Sequence, residues 1–167
     1  MHEKGAKSLL VVSRLSDHVK ESYGQRKIGF IDYCEEHNLN YKVFDVNCSD
    51  VKYTNLLRNY LKEQFGEHTR TDIDGIFAVS EQYAGICCFE LRSLGRLIPE
   101  QVQIIGFDGS RPYPTQPIII SSLRQPVEEL AQSSINMLNA LNSGISPDKI
   151  QNIILPVKFI QGITTKQ

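Results

Sequence analysis

Four short runs of apolar, often β-branched residues recur along the chain: SLLVVS (8–13), YKVFDV (41–46), GIFAVS (75–80) and VQIIGF (102–107). Amphipathic stretches of helical length separate them. That alternation predicts βαβ units, and so a parallel sheet with helices on both faces. A first helix is expected to open near Ser16 or Asp17 and to carry Tyr23, Lys27, Phe30 and Cys34 on one face, with Gly29 beside it to allow close approach to the sheet. A second, from Val51 to Phe65, has the apolar stripe Tyr53, Leu57, Tyr60, Leu61 and Phe65, and the polar GEHTRTDID after it reads as an exposed loop. A third starts after Ser80, turns Ala84, Cys88 and Leu91 inward, and stops at Gly95 with Pro99 beyond.

After Asp108 the pattern changes. RPYPTQP (111–117) cannot sustain a helix or a central strand, because its three prolines lack backbone donors and have a fixed φ. IIISSLR then reads as a strand, and QPVEELAQSSINMLNALNSG as a long helix with Pro126 in its first turn and Gly144 past its end. IILPVKFI reads as one strand, or two broken at Pro156.

Composition narrows the classes. The 167 residues have the size of one ordinary domain, and 41% hydrophobic content supplies a core. With 18 basic and 19 acidic side chains the net charge is −1, which gives no global field to draw this segment onto nucleic acid. No apolar run approaches the roughly 20 residues that span a bilayer, and the start, MHEKGAKSLLVV, lacks the order of a signal peptide, so a cytoplasmic protein is expected. Cys34, Cys48, Cys87 and Cys88 contain no C-x-x-C and read as reduced thiols. His2, His18, His37 and His68 are scattered and form no metal set. No cofactor is implied.

Candidate chemistry lies at the carboxyl ends of the strands, where open parallel sheets bind ligands. Those ends supply Ser13 and Arg14, then Asn47, Cys48 and Ser49, then Ser80 and Glu81, and finally Asp108, with Arg26 near the start of the first helix. A carboxylate, a five-donor guanidinium and neutral polar groups suit vicinal hydroxyls or a mixed donor–acceptor ring. Each residue also has a plainer reading: Asp108 as a local Asx turn before Gly109, Arg26 as a solvated helix arginine, Ser80 as the cap of the third helix with Glu81 in its first turn. The chain lacks a G-x-S-x-G elbow, a Walker lysine loop and an H-E-x-x-H pair, and catalysis has no support from its motifs.

Several stretches, in this order, resemble the effector-binding region of the LacI/GalR family of bacterial transcription repressors, which has the periplasmic-binding-protein fold. HEKGAKSLLVVS is similar to the family's helix end and first strand of the C-terminal subdomain, and RKIGF (26–30) to its arginine–x–x–glycine–phenylalanine pattern. GIFAVSEQYAGICCFELRSLGRLIPEQVQIIGFDGS resembles the following strand–helix–strand, SSLRQPVEELAQSSINMLNAL the return to the N-terminal subdomain, and ILPVKFIQGITT the closing strand and tail. The resemblance implies that Arg26, Asp108 and Ser80 contact a small effector, a sugar or similar small polar molecule, with the loop at Asn47 in the corresponding region. It departs from the family where serine replaces the usual asparagine at Ser80, glutamate the usual aspartate at Glu81, and where no tryptophan is present to stack on a sugar.

The resemblance further implies a division into residues 1–124, a C-terminal effector-binding subdomain; 125–155, a helix and strand that would complete an N-terminal subdomain not contained in this chain; and 156–167, a closing strand and tail. Val127, Leu130, Leu138 and Leu141 would then lack their usual partner. A homodimer seam formed by the third helix (84–93) and RPYPTQP is expected, and contact with DNA only through a helix-turn-helix headpiece outside the chain, with no role for a membrane. A transporter's solute-binding protein and a small α/β enzyme using Asp108 as base are the competing readings.

Overall fold

Strand β1 (Ser8–Arg14) is buried along nearly its whole length, as a strand with neighbours on both sides and helices above and below must be. The computed structural model describes residues 1–14, 22–109 and 119–167. In it, β1 pairs in parallel with β2 (Asn40–Val46) on one side and β3 (Gly75–Ala78) on the other. β4 (Gln103–Asp108) and β5 (Ser121–Arg124) continue the parallel sheet, and β6 (Lys158–Ile160) closes it antiparallel, giving the order β2-β1-β3-β4-β5-β6.

The helices follow the predicted alternation. The described part of α1 is Ser22–Glu36, then come α2 (Asp50–Phe65), α3 (Glu81–Ser93) and α4 (Val127–Asn142). The expected start near Ser16 or Asp17 and the RPYPTQP segment lie outside the described residues. Between α2, α3 and the sheet sits the main core, with Leu10, Val12, Tyr53, Leu57, Leu61, Phe65, Ile76, Leu91 and Ile104 buried. The Tyr53 hydroxyl crosses that core to donate to the Ser13 carbonyl at 2.6 Å, and burial holds the phenol far above its ordinary range. A smaller cluster of Ala6, Leu9 and Cys34 joins α1 to the opposite face.

Three local expectations change. A Cβ on Gly29 would meet nothing, so this glycine does not serve close helix–sheet packing; it borders an open groove instead. The GEHTRTDID stretch is only partly exposed: Ile73 is buried, and the Asp74 carboxylate accepts from the Lys7 and Ser8 amides at 2.9 Å, which pins the start of β1. Arg96 likewise anchors the end of α2, donating to the Phe65 carbonyl at 2.7 and 2.9 Å. Of IILPVKFI, only Lys158–Ile160 is a strand; Ile153 and Ile154 lie outside any ladder.

The described cysteines are free, as expected, with Cys34, Cys87 and Cys88 buried. Burial raises the Cys87 thiol and pushes Cys88 up to about 11, leaving both inert at neutral pH.

Helix α4 stands apart from this arrangement. None of its residues is buried, and Val127, Leu130, Ile135, Leu138 and Leu141 are exposed, as is Ile154 at 93%. An apolar stripe without a partner contributes little to folding, while a core leucine loses both transfer energy and packing on truncation. Leu61→Ala is therefore expected to cost about 2–5 kcal/mol in urea denaturation, and Leu138→Lys less than about 0.5 kcal/mol. Equal costs would mean that α4 packs against the rest of the chain.

Candidate functional site

Strand β4 ends in an unusual backbone. Asp108 has φ +97° and Gly109 φ +60°, so two successive residues occupy the left-handed region and turn the chain off the sheet. Asp tolerates that region better than most residues, yet a non-glycine residue persists there only where its surroundings hold it. Here they do. One Asp108 carboxylate oxygen faces the Arg26 guanidinium at 3.2 Å and accepts from the Gln125 amide at 2.7 Å. The Gly109 amide donates to the Ser122 hydroxyl at 3.0 Å, which donates in turn to Glu81 at 2.7 Å. A Cβ on Gly109 would lie 2.7 Å from Arg124, so the turn requires glycine for space as well as for φ.

Arg26 reaches this rim from α1. Its other amino group donates to the Val79 carbonyl at 2.8 Å, at the end of β3, and its guanidinium carbon lies 3.8 Å from the centroid of the Phe107 ring. Tyr23, one turn earlier, places its ring 5.4 Å from the same group. The guanidinium therefore joins α1, β3 and β4 at the carboxyl edge of the sheet. Its side chain is 12% exposed and that of Asp108 33%, so the pair is held in place but open to solvent on one side. Arg26 is therefore not a solvated helix arginine, and the Asp108 carboxylate takes the side-chain donors of Arg26 and Gln125.

Ser80 does take its plainer role. Its hydroxyl accepts from the Tyr83 amide at 3.4 Å as the N-cap of α3, and the residue is buried. It adjoins the site through Val79, its neighbour in sequence. Asn47 is exposed after β2, at the outer edge of the sheet; β1 and β3 stand between β2 and β4, a separation of roughly 14 Å. The structure thus joins Arg26 and Asp108, sets Ser80 beside them, and leaves Asn47 apart.

Gln125 and Phe107 complete the site, and the sequence reasoning missed both. Gln125 follows β5, and treating the end of β5 like the other strand ends would have found it. Phe107 sits in a strand apolar on both faces, which hides the direction its ring takes. At the end of β1, Ser13 is buried and its hydroxyl oxygen has no hydrogen-bond partner among the described residues.

Other clusters are poorer in chemistry. His2 and His37, far apart in sequence, meet around Tyr33, with the His2 and His37 ring centroids 5.7 Å apart. No group of three or more metal-ligating side chains occurs among the described residues, and no described helix is long and apolar enough to cross a membrane.

Residues 1–165 match the family described as periplasmic binding protein-like domain. No curated protein matches the chain in sequence. Among solved structures, a periplasmic binding protein/LacI transcriptional regulator from Alkaliphilus metalliredigens, complexed with D-xylulofuranose, superposes with a TM-score of 0.74 at 27% identity, over 99% of this chain and 59% of that one. A LacI family transcriptional regulator from Arthrobacter, in complex with lactose, gives 0.75 at 18% identity, over 99% and 60%. The lac repressor dimer bound to operator gives 0.78 at 16%, over 98% and 54%. The chain thus spans less than two thirds of the length of each of these three. The architecture is that of one periplasmic-binding-protein-like subdomain with an attached helix.

Glu81 gives this rim a pH response. Half-burial raises its carboxyl above the ordinary glutamate range, outweighing the opposing hydrogen bonds from Ser122 and the Gly109 amide, and the nearby Asp108 charge adds to the rise. The folded chain then holds more protons than the unfolded one between the ordinary glutamate pKa and the raised value. Stability should fall as pH rises through that window. Glu81→Gln is expected to flatten this slope when urea midpoints are compared from pH 4 to pH 7; an unchanged slope would show that Glu81 is not its source.

Proposed function

Because the chain belongs to the periplasmic binding protein-like domain family, we propose that it is the effector-binding and dimerising part of a LacI/GalR-type transcription regulator, and that its effector is a sugar or a similar small polar molecule. The observation that carries this reading is the pairing of Arg26 with Asp108 at the carboxyl rim of the sheet. A carboxylate accepts from two neighbouring hydroxyls, and a guanidinium with five N–H donors retains some for ligand oxygens after Val79 and Asp108 are served. Phe107 behind the guanidinium and Gln125 behind the carboxylate fix both groups before ligand arrives, which lowers the ordering cost of binding. The role is binding, and no reaction is assigned to the site.

In the full-length protein a second subdomain would supply the facing wall of the cleft, with α4 and the segment to Leu155 completing it. Ligand held between two subdomains favours one relative orientation, and that preference would set how a pair of helix-turn-helix headpieces, outside this chain, spans an operator in the cytoplasm. The partner copy would meet α3, where Phe89 is 63% exposed beside Cys88, Arg92 and Ile119.

Thermal-shift screening of the full-length protein against sugars, starting with D-xylulose and lactose, identifies the effector. Arg26→Ala and Asp108→Asn should then each weaken its affinity at least tenfold by calorimetry, because each leaves a charged or polar partner unsatisfied, a loss of about 1.4 kcal/mol or more. The 167-residue chain alone should bind weakly or not at all. Variants that bind like the unaltered protein would remove these residues from the site, and micromolar binding by the short chain would contradict the two-walled cleft.

A further inference from the structure

Phe107 and Asp108 close β4, and strict alternation along a strand would send their side chains to opposite faces of the sheet. Both meet Arg26 instead: the Phe107 ring centroid lies 3.8 Å from the guanidinium carbon, and the Asp108 carboxylate faces the same group at 3.2 Å. Gly106, two residues before Asp108, shows where the acid would otherwise point. A Cβ on Gly106 would lie 3.1 Å from Ala84 and 3.2 Å from a Glu81 carboxylate oxygen, so that side of the strand is the α3 side. On an unbroken strand one acid would face another. The positive φ of Asp108 and Gly109 turns the carboxylate to the rim, and the pairing with Arg26 exists because that turn is held.

We infer that Glu81 is a positioning residue for this site: from the first turn of α3 it fixes the Ser122 hydroxyl, and through it the turn that aims Asp108 at Arg26. The inference rests on the proposed function in one respect, that Asp108 is an acceptor for ligand. The chain of hydrogen bonds has a direction. An ionised carboxylate only accepts, a main-chain amide only donates, and a hydroxyl does both. Glu81 accepts the Ser122 proton at 2.7 Å, which leaves the Ser122 oxygen to accept from the Gly109 amide at 3.0 Å. The same amide also bonds to the Glu81 carboxylate. Remove the acid, and the hydroxyl proton has no fixed direction and the amide no fixed acceptor. Ser122 is 1% exposed, so bulk water does not take over either role. It pairs in register with Gly106, the residue that Glu81 covers, so the acid reaches the turn across the backbone of β4 and β5.

Amide hydrogen exchange and a thermodynamic cycle, both on the 167-residue chain without ligand, test the assignment. Glu81→Ala and Ser122→Ala should each speed exchange of the Gly109 amide about tenfold, as one lost hydrogen bond implies. The Ile104 amide, which donates to the Thr164 carbonyl at 2.8 Å within the sheet, should keep its rate. Glu81→Gln, whose amide oxygen can still accept from Ser122, should restore slow exchange at Gly109. The coupling between Arg26→Met and Asp108→Asn, measured in urea, should fall by about half or more in the Glu81→Ala background and survive in Glu81→Gln. Gly109 and Ile104 speeding up together would make Glu81 a general stabiliser and overturn the inference, as would an unchanged coupling in Glu81→Ala. Neither result touches the proposed function, which stands or falls on the ligand affinity of Arg26→Ala and Asp108→Asn.

Discussion

One guanidinium ties the carboxyl edge of this sheet together. Arg26 leaves α1, lies over the Phe107 ring, donates to the Val79 carbonyl just past β3 and faces the acid that ends β4. These contacts link α1 to the ends of β3 and β4, so the positions of all three at the rim depend on one planar, permanently charged group. Lysine could not replace it: a point charge on a flexible stem neither stacks on the ring nor directs donors to two acceptors at fixed angles. Asp108, held in the left-handed region by Arg26 and Gln125, is the second half of the same device. Its partner Gln125 stands one residue before Pro126 and two before α4, so the acid is coupled to the point where the chain leaves the sheet.

The rim owes its openness to how the sheet is covered. α2 and α3 bury one face, and α3 brings its N-terminus, capped by Ser80, and Glu81 to the same edge as Asp108. The other face has α1 alone among the described helices, and beyond β5 the chain continues into α4 and an extended segment, many of whose apolar residues are exposed. Both exposed regions have the same physical character: residues patterned for burial without a surface to bury against. Any surface packed over them would bury them by the same hydrophobic effect that builds the core.

Much of the fold was legible in the sequence because its periodicities are clean. The four apolar runs fall within a residue or two of β1 to β4, and glycines at 95 and 144, both at positive φ, lie past the ends of α3 and α4 as expected. What the pattern could not show was decided by side chains distant in sequence. Gly29 sits on the expected face but beside an opening; Asp74 is ordinary in a polar loop until the amides of residues 7 and 8 meet it; Ile153 and Ile154 have strand propensity without a strand to pair with. In the site, the strand-end rule found Arg26's partner Asp108 and the cap Ser80. It also admitted Asn47, since the rule specifies an edge of the sheet and not the distance along it. Gln125 and Phe107 were hidden for the reverse reason, because neither residue type announces a ligand.

The claim on which the account turns is that Arg26 and Asp108 act on one another across the rim. A double-mutant cycle on the folding free energy of the 167-residue chain, with Arg26→Met and Asp108→Asn measured singly and together in urea, isolates that interaction from whatever else each residue does. For a pair partly shielded from water the account predicts a coupling of about 1 kcal/mol. Costs that add to within about 0.3 kcal/mol would contradict it.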